Sequence, residues 1–369
     1  MNSFQLEIQM IAVVVAVACA LPGVFLVLRR MVLMSDAISH AILFGIVLAF
    51  LVTGDINSPF LVLAAAATGV LTVVLVELIQ KTGLVKEDAS IGLVFPALFS
   101  IGVILISRFA GNVHLDVDAV LLGELAFSPF NRLEFSGYDL GPKSLWVMSG
   151  ILILNITFII IFFKELKLAT FDAGLATAIG FSPVILNYLL MSFVSITAVG
   201  AFDAVGSILV VALMVGPAAS AYLLTDRLGV MLVISAVLGI IAAIGGYWLA
   251  HFLDASIAGS IAVTTGVIFG LIFSFAPHRG IVAIFRRRMR QKWEFAQTML
   301  VMHISQHQGT PEQSEECRTE TLYHHMHWDQ NFTERVSRIA LRNQLVREES
   351  DCLLLTDNGR QLASETLAL

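Results

Sequence analysis

The stretch Met34-Ser35-Asp36-Ala37-Ile38-Ser39-His40-Ala41 sets a carboxylate and an imidazole four residues apart inside an otherwise apolar run. On a helix that spacing puts Asp36 and His40 on one face, one turn apart, with Ser39 beside them. Such a pair suits a transition-metal cation such as manganese, iron or zinc, the carboxylate favouring the harder ions. A structural Asp–His hydrogen bond between packed helices is the competing reading, and spacing alone leaves the two open. Two ligands do not complete a metal site, so other helices, another chain or water must supply the rest.

The remaining polar residues in apolar runs carry weaker signals. Glu77 sits where snorkelling to a cytoplasmic surface would explain it, Asn155 and Asn187 fit helix-to-helix hydrogen bonds, and Asp203 falls near an outer surface. His114, Asp116 and Asp118 alternate as three potential ligands on one side of a strand, although exposed acidic loops commonly bind nothing. Small residues gather at Gly200–Gly206 and at Gly216-Pro217-Ala218-Ala219-Ser220-Ala221. Gly206, Gly216 and Pro217 are candidate packing or gating positions, where helix backbones approach closely or bend.

The elements that must hold these groups are membrane spans. Of the 369 residues, 57% are hydrophobic and 14% charged, and the mean hydropathy is +0.85, which excludes an ordinary soluble domain of this length. A span needs about 20 apolar residues because lipid leaves each backbone polar group to be satisfied within its own segment. Nine segments qualify: 8–28, 31–53, 59–80, 90–107, 145–163, 183–201, 203–225, 229–250 and 257–276. The first lacks a basic leader, carries Glu7 and runs into Arg29 and Arg30, so it is expected to be a span rather than a signal peptide, with Cys19 as a core thiol. If the second span begins at Met31, Asp36 lies roughly 8 Å into it and His40 near mid-membrane.

Basic residues in short loops stay cytoplasmic. Arg29/Arg30, Lys81/Lys86, Lys164/Lys167, Arg227 and Arg286–Arg288 fall in alternate loops and the tail, whereas the loops at Asp55–Asn57 and His251–Asp254 carry no Lys or Arg. This predicts an outside N-terminus, a cytoplasmic tail and a structured external connection over 108–143. Residues 1–276 hold ten Lys and Arg against sixteen Asp and Glu, while 277–369 hold twelve of each. The expected organisation is a transmembrane domain over 1–280, a basic cytoplasmic linker over 281–294 and a small soluble domain over 295–369.

Between the fifth and sixth spans, Phe171 to Pro183 reads as a short cytoplasmic helix capped by Asp172 and closed by Gly180 and Pro183, with Ala176 and Gly180 giving it a small-residue face. Such an element is able to receive a push from a soluble motor, or to be a plain loop. This segment, the run Leu28 to Ala41, and Val205-Gly206-Ser207 through Gly216-Pro217-Ala218-Ala219-Ser220-Ala221 together resemble the membrane permeases of ATP-binding cassette importers for metal cations. With the spans between them they cover roughly residues 8–276.

The resemblance implies that Asp36 and His40 coordinate the passing metal, and that Asp172, Ala176 and Gly180 belong to the coupling helix docking on a separate ATPase subunit. It further implies a second permease subunit, identical or closely related, an extracytoplasmic metal-binding protein, and a multi-pass location in a bacterial cytoplasmic membrane. The chain contains no Gly-x-x-x-x-Gly-Lys-Ser/Thr phosphate loop, so it is expected to be a transporter subunit and not an enzyme, binding no cofactor itself, with ATP on the partner.

The tail reads as two helices, a third over Phe332–Leu345, two short strands around Arg347–Asp351 and a last helix from Thr356-Asp357. That order resembles the winged-helix region appended to some manganese/iron-type permeases, which favours manganese or iron over zinc as cargo. Phe332, Val336, Ile339 and Ala340 form an apolar face of the third helix, and Arg335, Arg338 and Arg342 a basic one. A neutral, membrane-tethered tail makes a weak electrostatic case for nucleic acid, so a regulatory or subunit-contact module is the expected role. His324, His325 and His327 with Cys317 are a candidate metal sensor. The overall fold class is an all-α polytopic membrane protein with a small α+β winged-helix-like cytoplasmic domain. A secondary transporter or channel using Asp36 and His40 as a relay, or a membrane-anchored regulator, are the alternatives.

Overall fold

A computed structural model describes residues 3–55, 58–109, 125–135 and 138–367. The run His114–Asp118 lies outside the described residues. The chain divides into two compact units, Met1–Gly280 and Ile281–Leu369.

The first unit is built from α1 (Ser3–Leu28), α2 (Val32–Thr53), α3 (Pro59–Lys81), α4 (Glu87–Phe109), α5 (Lys143–Ile161), α6 (Phe163–Phe171), α7 (Ala173–Ala178), α8 (Pro183–Val205), α9 (Ser207–Leu224), α10 (Leu228–Leu253) and α11 (Ile257–Phe275). Among the described residues, nine of these, all but α6 and α7, are long and apolar enough to cross a membrane. Their solvent-free surroundings are written in the sequence: Phe60, Leu63, Ile104, Ile153, Ile160 and Val233 stay exposed on the outside of the bundle, where only lipid or another subunit matches them.

Helix α1 is the axis of the unit, packed on α5, α8, α9 and α10. Helix α2 packs on α3 and α4 and also meets α8 and α9. Glycine permits the closest of these approaches. A Cβ on Gly45 would overlap Thr68 and the Ala64 carbonyl of α3, and one on Gly216 would overlap the Thr265 side chain of α11. Asn155 donates to the Ala18 carbonyl (3.1 Å) and to Thr197 Oγ1 (2.8 Å), tying α5 to α1 and α8 as its helix-to-helix reading expects.

Helix ends differ from the expected spans by up to five residues, and one junction between spans moves. The break expected at 201–203 falls at Gly206, whose φ of 79° and ψ of 165° lie in a region that essentially only glycine occupies. Helix α8 therefore continues through Asp203, which is exposed in its last turn. On the outer side, a 3-10 turn (Ser128–Phe130) and a hairpin of β1 (Arg132–Phe135) and β2 (Tyr138–Pro142) lead into α5. Arg132 bridges Asp139 and, at 3.3 Å, Glu7 of α1. The Gly141 amide, followed by Arg132, holds the Asp139 carboxyl below the usual carboxylate range.

The second unit comprises α12 (Ile281–His307), α13 (Gln313–Glu316), α14 (Leu322–His325), α15 (Gln330–Arg342), β3 (Val346–Glu349), β4 (Cys352–Leu355) and α16 (Asp357–Leu367). Residues 281–294 form the first half of α12. Leu300, Val301, Ile304, Leu322, Val336, Ala340, Leu353 and Leu355 pack into one core. Asp329 caps α15 by accepting from the Asn331 amide at 2.9 Å, and Arg335, Arg338 and Arg342 stand exposed opposite the buried Val336 and Ala340. Strands β3 and β4 pair antiparallel around Ser350 and Asp351, both at positive φ, the conformation of a two-residue hairpin turn. Asp351 is therefore turn rather than strand.

Candidate metal centre

Asp36 and His40 are placed by a tight reversal. Helix α1 ends at Leu28, and Arg30, at φ 62°, donates to Val27 while Met31 donates to Leu26, closing the turn with a left-handed residue. Helix α2 then starts at Val32, so Asp36 falls in its second turn and His40 one turn further toward mid-membrane. The two side chains meet: His40 Nε2 lies 3.4 Å from Asp36 Oδ1. They retain 28% and 43% exposure respectively, so the pair opens away from the packed interior of its own bundle.

The surroundings are aromatic. His40 lies 5.8 Å from the Phe95 ring and 6.0 Å, edge-on, from Phe99, both on α4. Ser39 does not join the pair. One residue along a helix rotates a side chain by about 100°, and Ser39 turns inward to donate to the Ser35 carbonyl at 2.9 Å. A carboxylate oxygen and an imidazole nitrogen at this separation are able to share a cation with little rearrangement, and equally to hydrogen-bond each other.

Nearer the cytoplasmic end lies a polar network that the sequence does not announce. Glu77 of α3 accepts from Asn187 Nδ2 (3.0 Å) and from the Tyr188 hydroxyl (2.6 Å), both on α8, and pairs with Lys81 at 3.6 Å. Asn187 in turn accepts from Arg29 Nη1 (2.9 Å), and Arg29 Nε donates to Thr170 Oγ1 (3.1 Å) of α6. Glu77 therefore does not snorkel to water but is held inside the protein by two donors. Arg29 reads from sequence as a topology signal only; its role as a joint between α3, α6 and α8 depends on tertiary neighbours that no local pattern reveals.

Asp172 caps α7, accepting from the Leu175 amide at 2.8 Å. The small-residue face expected for Ala176 and Gly180 does not form. Ala176 is fully buried, whereas Gly180 lies past the helix at φ 98°, with its amide donating to Thr177 and the Phe181 amide donating to Ala176. Gly180 is a conformational stop, because a left-handed residue there lets the last carbonyls be satisfied. What α7 and its flanks present instead is apolar: Leu175 on α7, Phe171 at the end of α6, and Ile179 and Phe181 just past α7 are all exposed. Pro217 is buried within α9, next to Gly216 and its close contact with α11.

In the second unit, the expected grouping of His324, His325 and His327 with Cys317 is not found. His327 Nδ1 sits 2.7 Å from the His324 carbonyl, and Cys317 is buried in the core, where loss of water pushes its thiol up to about 11. A different set converges: His303, His307 and Glu316 each offer a ligand atom, all within 4.8 Å of one another. The i,i+4 spacing of His303 and His307 is visible in the sequence; the return of Glu316 onto them is not.

The family model described as the ABC 3 transport family matches residues 1–276. The zinc transport system membrane protein TroD of Treponema pallidum is 48% identical over 98% of both chains. The manganese transport system membrane protein MntD of Bacillus subtilis is 45% identical over 80% of this chain and 99% of its own, so about a fifth of this chain has no counterpart there. Among solved structures, PsaBC from Streptococcus pneumoniae in complex with Fab is similar at a TM-score of 0.63 and 29% identity, over 76% of this chain and 94% of that one. With the family model over residues 1–276 and these relatives over most of its length, the chain belongs to the ABC 3 transport family as one of its membrane permease subunits.

Proposed function

We infer that this chain is the permease through which an ATP-binding cassette importer carries divalent transition-metal cations, of the manganese, zinc and iron class, across a bacterial cytoplasmic membrane. The observation that carries this reading is the Asp36–His40 pair: two ionisable groups 3.4 Å apart inside a span and partly open. Lipid cannot receive such a face without large cost, so the pair must look onto a water-filled path or a second subunit. The relatives compared are named for zinc and for manganese, and a carboxylate with an imidazole serves both.

Asp36 and His40 supply two ligands, and a second permease subunit, identical or related, supplies the rest across the open face. The exposed apolar ridge of Leu175 and Ile179, fixed by the Asp172 cap and the Gly180 stop, is the coupling surface for a separate ATPase subunit. Hydrolysis on that partner shifts the two permease halves and exposes the metal pair alternately to each side. Gly206, Gly216 and Pro217 keep α8, α9 and α11 close enough to move as a packed block. An extracytoplasmic metal-binding protein delivers the ion.

The test is metal-resolved uptake of manganese, iron and zinc by cells carrying this permease with its ATPase, against cells whose ATPase cannot hydrolyse ATP. Accumulation of at least one of the three that vanishes without hydrolysis is expected. Uptake that persists would instead make the chain a secondary transporter or channel.

A further inference from the structure

The C-terminal unit carries a second cluster with metal-ligand chemistry, remote in sequence from the transport pair. His303 and His307 stand one turn apart at the end of α12, with rings 4.8 Å apart. The chain turns back at Gly309, at φ 84°, where its amide donates to Gln313 Oε1 at 2.7 Å, and α13 brings Glu316 onto both imidazoles. Glu316 Oε2 lies 3.4 Å from His303 Nε2 and 2.9 Å from His325 Nδ1. Glu312 approaches His307 Nδ1 at 3.5 Å from the exposed side.

These groups are three-quarters or more covered: 14% exposure for His303, 23% for Glu316, 24% for His325 and 25% for His307. Three imidazoles gather around one mostly buried carboxylate, and His303 Nε2 also lies 3.1 Å from the Glu316 carbonyl. The same atoms are the donor types of a tetrahedral site, in which bonds of about 2.0–2.2 Å place ligand atoms roughly 3.3–3.6 Å apart. A ligand set already within 4.8 Å needs at most about 1.5 Å of closure, within reach of side-chain rotation. The site also lies at the C-terminal end of α12, the negative end of its helix dipole, which favours a cation there.

We propose that His303, His307 and Glu316 bind a divalent transition-metal ion on the cytoplasmic side, with His325 as a fourth ligand or as the group that orients Glu316. Nitrogen-rich donors select zinc or ferrous iron over manganese, which ranks lowest in the common affinity order. The set differs from the transport pair, where half the donors are carboxylate. Occupancy ties α12, α13 and α14 together, so that this unit reads the cytoplasmic pool of the metal.

The test uses the full chain assembled with its ATPase and carrying Asp36→Ala and His40→Ala, so that binding at the transport pair is removed and the result does not depend on the transport reading. Equilibrium dialysis against micromolar zinc with elemental analysis is expected to find one ion per chain. His303→Ala with His307→Ala abolishes it, and Glu316→Gln weakens it tenfold or more. His324→Ala with His327→Ala retains it, controlling for general loss of histidine. Zinc is also expected to slow amide exchange across 300–326 only where binding is retained. No stoichiometric zinc in the folded parent, or binding that survives the double His303/His307 change, overturns the proposal.

Discussion

His40 Nε2 stands 3.4 Å from Asp36 Oδ1 across one turn of α2, and no third His, Cys or carboxylate among the described residues completes a cluster with them. A divalent ion held by two ligands keeps most of its coordination open. In the function proposed above, the rest of the coordination comes from outside this chain, across the face on which the pair is exposed.

Coupling should depend on the exposed ridge of α7. Leu175→Asp and Ile179→Asp replace apolar surface with charge without touching the buried Ala176, and each is expected to abolish co-purification of the ATPase while leaving the permease folded in detergent. Gly180→Trp is expected to weaken the same contact by destroying the left-handed stop that aims the helix. Pull-down of the ATPase from membranes reads all three.

The Glu77 network should be a stability element. Glu77→Ala leaves the Asn187 amide and the Tyr188 hydroxyl without their acceptor, costing about 1–3 kcal/mol for buried donors left unpaired. Glu77→Gln, which keeps an acceptor oxygen, is expected to lose less. Thermal unfolding of the detergent-solubilised permease ranks wild type above Glu77→Gln above Glu77→Ala.

Gly206→Ala forces a Cβ into a backbone conformation reserved for glycine, at about 1–3 kcal/mol of strain. Gly270→Ala, in a span where a Cβ meets nothing within 4 Å, is the matched control. The first is expected to lower both thermal stability and uptake, the second neither.

Cys317 offers a test by pH. Its thiol is raised from 9.0 to about 11 by burial, so above pH 9 the unfolded chain releases a proton that the folded chain still holds. Stability of the second unit is unaffected by this group below pH 9 and falls as pH rises from 9 toward 11. Cys317→Ser should flatten that alkaline decline in a denaturation series and should leave the neutral-pH dependence unchanged.

Much of the membrane unit was legible because lipid imposes a strong local rule. Apolar length set the spans to within a few residues at their ends, and the junction at Gly206 moved because one glycine's torsion decided the break. The Asp36–His40 pair was legible for the same reason: polar residues at helical spacing stand out in an apolar run. Arg29, Tyr188 and Glu316 were not, since each gains its meaning from partners more than eight residues away, brought together only by the fold. Ala176 and Gly180 show the limit within a short element, where periodicity suggested a shared face and cap geometry placed one residue in the core and the other beyond the helix.

The central claim is that Asp36 and His40 carry the ion. The most direct measurement is uptake of radiolabelled metal, for whichever of manganese, iron or zinc the wild-type importer accumulates, in cells expressing Asp36→Ala or His40→Ala with the ATPase and binding protein intact. Uptake is expected to fall to the background of cells lacking the permease, while the ATPase still co-purifies with each variant. Wild-type uptake by both variants would contradict the account.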